Sequence, residues 1–216
     1  MQTIRHTLPD DLLMGYAAGV LPQPFDLVVA THVSLNDEAR VRLAGFDAVG
    51  GAVLDDMDQA PLADDSLERT LARIAGTAGK TPAPKPTPSQ GIFPAPLQTI
   101  VGGDEAAVKW KSLGMGAKQA VLCSDGEATA RLLLIPAGQS MPKHSHRGME
   151  MTLVLKGAFR DEDGIYARGD IEVADQQVDH TPVAEPGEDC ICLIATDGRR
   201  KFNGLLPRIA QPFLGI

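Results

Sequence analysis

Between residues 8 and 75 apolar side chains return every three or four positions, which is the period of an amphipathic helix. Leu12, Leu13, Tyr16, Ala17 and Val20 form the first such series, behind Asp10 and Asp11 and ahead of Leu21-Pro22. Paired acids suit a helix N-terminus and proline stops the run. Pro24 opens a second helix through Phe25, Leu27, Val28, Val29 and His32, since proline is tolerated in a first turn. A third starts near Asn36 and carries Val41, Leu43, Phe46, Val49 and Leu54, with Gly50-Gly51 as its weak point. After a break at Pro61, Ser66 caps a short fourth helix in which Leu67, Leu71 and Ile74 are four and three apart. Four short helices with brief connections predict a small all-α bundle over residues 1–75.

Residues 76–96 then lose all periodicity. Prolines at 82, 84, 86, 88, 94 and 96 favour extended polyproline II and leave little apolar surface to bury, so this stretch is expected to be a semi-rigid linker. From about Leu97 the period falls to two. Short apolar segments at 108–113, 118–123, 128–135, 150–155, 164–166, 171–173 and 190–195 are separated by turn residues such as Ser124-Asp125-Gly126 and Asp161-Glu162-Asp163-Gly164. Many short strands of this kind predict a second, all-β domain over 97–216, a sandwich or a barrel.

Composition narrows the function. The net charge of −8 argues against direct nucleic-acid binding, which needs a basic surface. Residues 1–80 hold 6 Lys/Arg against 12 Asp/Glu, so acidity is concentrated in the helical part, where it can steer association with a basic protein. No apolar run approaches the roughly 20 residues that cross a membrane. No basic leader precedes an apolar stretch, and a cytoplasmic location is the default expectation. Cys123, Cys190 and Cys192 are an odd set, and the last two fall side by side on one strand face. Buried free thiols are expected there.

The strongest chemical signal is the stretch from Gly138 to Glu150, which contains His144, His146 and Glu150. Alternate residues of a strand share a face, so the two histidines point together and Glu150 adds a carboxylate. Imidazole nitrogens with one carboxylate suit zinc, ferrous iron, manganese or nickel.

Gly138, His144, His146, Glu150 and Gly157 stand at the spacing of the first cupin motif, and Gly169 and His180 at that of the second, although Asp175, Gln177 and Ala184 replace its proline, glycine and asparagine. This resemblance implies a jelly-roll barrel in which His144, His146, Glu150 and His180 hold zinc or another divalent metal. The whole chain, with Thr3-Ile4-Arg5-His6, Val29-Ala30-Thr31-His32, His-x-His-Arg-Gly-x-Glu and Leu153-Val154-Leu155-Lys156-Gly157, resembles the ChrR family of bacterial anti-sigma factors. The resemblance implies a helical domain that occludes an extracytoplasmic-function sigma factor and a cupin domain needed for release on oxidative signals such as singlet oxygen.

One departure stands out. The family's helical zinc site uses two histidines and two cysteines. Here His6 and His32 match, but the cysteine positions are Asn36 and Ala39, neither of which supplies a thiolate. His6 and His32 are thus at most the remnant of a site, and Asn36 can still cap a helix. An alternative of another class is a metal-dependent cupin enzyme, dioxygenase-like, using the same four ligands.

Overall fold

The computed structural model describes residues 4–77, 91–142, 144–145, 148–175, 179–198 and 201–202. The periodicity of the first third becomes four helices: α1 (Asp10–Ala17), α2 (Gln23–Leu35), α3 (Asp37–Asp55) and α4 (Ser66–Thr77). Helix α1 stops short of Val20 because Gly19 turns left-handed, at φ +66°. The Asn36 side chain caps α3 by accepting the Ala39 N–H at 3.1 Å, which satisfies a donor that the helix itself leaves open.

Helices α1, α2 and α3 pack on one another, and Arg42 of α3 reaches Asp10 at the start of α1. Helix α2 is covered more fully, with Phe25, Leu27, Val28, Val29, Thr31 and His32 all buried. A helix apolar on most sides needs more than one neighbour. The second neighbour is a β-sheet: α2 lies across β2 (Ala117–Asp125), β3 (Ala128–Ile135), β5 (Glu150–Lys156) and β11 (Cys190–Thr196).

Between the proline-rich stretch and the first strand the chain forms a helix that the sequence pattern does not announce, α5 (Ala95–Val101). Pro94 and Pro96 fit its opening turn, and Gly102 ends it at φ +79°. Of the expected linker 76–96, residues 78–90 lie outside the described residues, while Phe93 is buried beside Leu97 in the same apolar cluster as α2. Asp104 holds that turn by accepting the N–H groups of Ile92 and Phe93, both at 2.9 Å.

The β part contains a six-stranded sheet, a three-stranded sheet facing it, and a three-stranded edge piece. The large sheet runs β1 (Lys111–Gly114), β2, β3, β11, β5 and β8 (Ile171–Ala174), all neighbours antiparallel. The facing sheet is β10 (Val183–Ala184), β6 (Ala158–Arg160) and β7 (Ile165–Ala167). The edge piece is β12 (Lys201–Phe202), β4 (His144–Ser145) and β9 (Asp179–His180).

Strand alternation gives the large sheet two working faces. Leu132, Leu134, Met151, Leu153, Leu155, Ile191 and Leu193 point outward and join Leu12, Leu13, Phe25, Val28, Val29 and Leu97 in one apolar cluster. Leu133, Ile135, Val154, Cys190, Cys192 and Ile194 point inward, against Phe159, Tyr166 and Ala184 of the facing sheet. Each fully buried side chain of this size contributes roughly 1.5–3 kcal/mol, so the shared outer cluster binds the helices firmly to the sheet.

Two glycines of the motifs have a physical role in this arrangement. A Cβ at Gly148 would overlap the Asp197 carboxylate, which accepts the Met149 N–H at 2.7 Å and so pins the start of β5. Gly169 has φ +90°, and a Cβ there would lie 2.7 Å from Ile4 Cδ1, where the N-terminal segment crosses the sheet edge.

Candidate functional site

The inner face of the large sheet changes from apolar to polar at one end. On β5, Glu150 and Thr152 continue the inward parity of Val154, and both are buried. Thr152 Oγ1 lies 3.3 Å from Glu150 Oε1 as its donor. Directly across the ladder from Thr152 stands Glu172 of β8. Glu172 is the one charged residue in β8, and it too is buried.

Glu172 leads to His180. The ring Nδ1 of His180 is 2.9 Å from Glu172 Oε1 and 3.1 Å from Asp161 Oδ2, and His180 itself is 2% exposed. Asp161 opens the turn between β6 and β7, where its other oxygen accepts the N–H groups of Asp163 at 2.9 Å and Gly164 at 3.1 Å. Among the described residues, Asp161, Glu172 and His180 are the group whose potential metal-binding atoms fall within 4.8 Å of one another.

Burial and mutual charge set the electrostatics of this cluster. Burial pulls the His180 imidazole down, but the hydrogen bond and charge of Glu172, then the Asp161 bond and the Glu150 charge, outweigh it and raise its pKa to about 9. Burial raises Glu172 to about 7 against the opposing pull of His180. For Asp161 burial is overcome by hydrogen bonds from Glu172, the Asp163 amide, His180 and the Gly164 amide, and its carboxyl is held below the usual range. These groups therefore share protons as a unit rather than titrating separately.

Of the expected cupin ligands, Glu150 and His180 come to this polar end of the inner face. His144 is the backbone partner of His180 in the β4–β9 pairing, and His146 lies outside the described residues. The donor set is nitrogen with one carboxylate, and the Nδ1 of His180 is engaged by Glu172 and Asp161. The residues fit a divalent metal on these grounds. Asp161 and Glu172 escaped the sequence reading because one sits in a turn and the other is a lone acid in an apolar strand. The only signal was that Glu172 occupies an inward position in Ile171-Glu172-Val173-Ala174.

The second histidine pair lies elsewhere. His32 is fully buried, with Nδ1 3.1 Å from the Gly169 carbonyl and Nε2 3.4 Å from the Asn36 amide nitrogen. Burial lowers its pKa to about 4, against the smaller raising effects of Gly169 and Asp170. His6 packs its ring on Tyr166, centroids 4.4 Å apart, and its Nδ1 is 3.8 Å from Asp170 Oδ1. Asn36 spends its oxygen on the helix cap, and Ala39 offers no donor. The cysteines are free, and Cys190 and Cys192 are buried with sulfurs 3.6 Å apart. Their mutual hydrogen bond and burial push the Cys192 thiol well up, away from reactive thiolate.

A different kind of candidate surface is formed by α3 and α4. Ala39, Leu43 and Phe46 face the body, but the same stripe continues through Val49 and Val53, which are 63% and 61% exposed. On α4, Leu67, Leu71 and Ile74 are 65%, 55% and 61% exposed. A 12-residue helix is marginal in water without packing, and an apolar stripe of this kind marks an interaction surface. Asp and Glu outnumber Arg seven to two between residues 47 and 77. Among the described residues, no helix is long and apolar enough to cross a membrane.

Comparison with known proteins bears on both halves. A family model described as ChrR cupin-like domain matches residues 99–198. The anti-sigma-E factor ChrR of Cereibacter sphaeroides is 50% identical over 215 residues, covering 99% of this chain and 100% of that protein. The crystal structure of Rhodobacter sphaeroides SigE in complex with the anti-sigma ChrR matches with a TM-score of 0.80 at 49% identity, over 90% of this chain and 100% of the other. With helices, sheet and buried polar cluster all contained in a full-length match, the chain belongs to the ChrR family of anti-sigma factors.

Proposed function

We propose that this protein sequesters an extracytoplasmic-function sigma factor through its helical part, and that the cupin part, holding a divalent metal, governs release under oxidative stress such as singlet oxygen. The observation that carries the first half is the exposed apolar stripe of α3 and α4 within an acidic segment. It suits a partner with an apolar groove and a basic, DNA-binding surface. The full-length relative named as an anti-sigma factor and the solved complex of SigE with ChrR support this reading. Sequestration takes place in the cytoplasm, where a sigma factor meets its polymerase. The division of labour follows the sequence: 1–75 for the partner, 76–96 as connection, 97–216 as cupin.

The metal is assigned to His144, His146, Glu150 and His180. When bound, a divalent ion, zinc above all, supplies a cross-link between β4, β5 and β9. The chain's own contribution is to bury Glu150 and His180 at the polar end of a face otherwise filled by side chains such as Leu133, Ile135, Val154 and Phe159. The alternative, a metal-dependent oxygenase, would need open space for substrate beside these ligands.

The test uses the full chain and an extracytoplasmic-function sigma factor of the same host. The pair should form a stoichiometric complex that blocks transcription. Leu67→Asp with Leu71→Asp should weaken it by about a hundredfold or more, since each buried leucine is worth roughly 1.5–3 kcal/mol. Wild-type affinity in that double variant would remove α4 from the interface, and failure of the wild type to bind any such sigma factor would refute the proposal.

A further inference from the structure

We propose that the helical part of this protein is held without zinc: a chain of hydrogen bonds from the start of α3 through Asn36 and His32 to the Gly169 carbonyl takes the place of the metal site that its family implies, and ties the helices to the cupin part. This goes beyond sigma-factor binding, since it concerns how the helices are held and not what they hold.

The residues at the four positions do not fit the metal. Ala39 has no side-chain donor, and the Asn36 oxygen caps α3 at 3.1 Å. Both ring nitrogens of His32 have partners inside the protein, the Gly169 carbonyl at 3.1 Å and the Asn36 amide nitrogen at 3.4 Å. His6 lies with its ring on Tyr166 and its Nδ1 3.8 Å from Asp170 Oδ1. Among the described residues, neither His6 nor His32 belongs to a group of three His, Cys, Asp or Glu whose potential ligand atoms fall within 4.8 Å of one another. A structural zinc site needs four such ligands.

The direction of each bond follows from the two ends of the chain. The Ala39 N–H only donates, so the Asn36 atom facing it is the oxygen and the amide nitrogen faces His32. That nitrogen donates, so Nε2 of His32 accepts and the ring proton sits on Nδ1. Nδ1 then donates to the Gly169 carbonyl, which only accepts. All three bonds point the same way, and His32 and Asn36 are both buried, a setting in which bonds in series strengthen one another.

The far end is firmly seated. Gly169 and Asp170 turn the chain between β7 and β8, and they grip β5: the Gly169 N–H donates to the Val154 carbonyl at 2.9 Å, and the Asp170 carbonyl accepts the Val154 N–H at 3.0 Å. The Asp170 side chain accepts the N–H groups of Arg5 and His6. One turn of the cupin part therefore holds both the α2–α3 corner and the N-terminal segment, the two pieces that carry His32 and His6.

The experiment uses the full-length protein with nitrogen label, and records proton–nitrogen correlation spectra of the histidine rings before and after added zinc. His32 should be neutral with its proton on Nδ1 and should stay so in zinc, whatever the cupin part takes up. His32→Leu should bind as many zinc equivalents as wild type. A zinc-ligated His32 ring, or the loss of one zinc equivalent in His32→Leu, would overturn the proposal. Asn36→Ser keeps a helix cap but no amide donor, and should shift the Nε2 signal of His32; an unchanged signal would overturn the chain of bonds. In metal-free protein, His32→Leu should speed amide exchange at Ala39 and Gly169 about 3- to 10-fold. Unchanged exchange at both would mean that packing alone holds the corner, and would overturn the joint. None of these readouts involves a sigma factor, so their failure is distinct from failure of the sequestration reading.

Discussion

Asp170 joins the N-terminal segment to the sheet, and its replacement by alanine gives a quantitative test of that junction. The side chain is almost fully buried, with Oδ1 accepting the N–H groups of Arg5 at 2.6 Å and His6 at 2.9 Å and Oδ2 accepting that of Ala167 at 2.9 Å. A hydrogen bond to a charged group contributes about 1.5–3 kcal/mol net, which would put three near 4.5–9. Arg5 and His6 can regain water if the segment lifts, although lifting also uncovers Leu8 and breaks the Ile171 N–H to His6 carbonyl bond of 3.1 Å. The expected cost of Asp170→Ala is therefore about 3–5 kcal/mol. Asp170→Asn keeps one acceptor oxygen for Arg5 and His6 but turns a donor towards the Ala167 N–H, for about 1.5–3 kcal/mol. Urea unfolding of the full chain measures both, and amide hydrogen exchange at Arg5 and His6 locates the effect. An Asp170→Ala cost below about 1 kcal/mol, or unchanged protection of those amides, would refute the reasoning.

His32 makes stability acid-sensitive: its folded pKa is about 4 against an ordinary 6.5, so the stability is fully present above pH 6.5 and is lost as pH falls towards 4. The loss should reach about 2 kcal/mol at pH 5, seen as a wild-type decline in urea unfolding that His32→Leu does not share; parallel declines would contradict it. Gly157 has φ +65°, and a Cβ there would lie 2.7 Å from the Asp189 carbonyl, so Gly157→Ala should cost about 1–3 kcal/mol in thermal unfolding. Thr152→Val removes the hydroxyl that meets Glu150 and should lower zinc affinity about tenfold with folding retained, as read by chelator competition.

Helix and strand positions were legible where a pattern is local. Leu67, Leu71 and Ile74 specify α4 by spacing alone, Asn36 caps α3 as its side chain allows, and 128–135 forms β3 as its apolar run requires. Helix α5 was not legible, because seven residues hold barely two turns and the flanking prolines read as linker. The packing of α2 against the sheet was hinted only by its lack of a polar face; which surface covers it depends on residues about a hundred positions away. The centre shows the same division. His144, Glu150 and His180 stand at motif spacings, whereas Asp161 and Glu172 come together with His180 only through the pairing of strands distant in sequence.

Strand β5 has a mechanical consequence. Glu150, Thr152 and Val154 line the inner face, while Met151, Leu153 and Leu155 meet the cluster shared with α1 and α2. A slip of one residue would exchange the two sets and bring hydrocarbon to the polar end of the inner face and a carboxylate beneath the helices. Asp197 clamps one end of the strand, and the tight turn at Gly157 fixes the other. Held at both ends, β5 keeps its two faces in fixed register, so the polar residues of the inner face and the apolar residues beneath the helices cannot shift relative to one another.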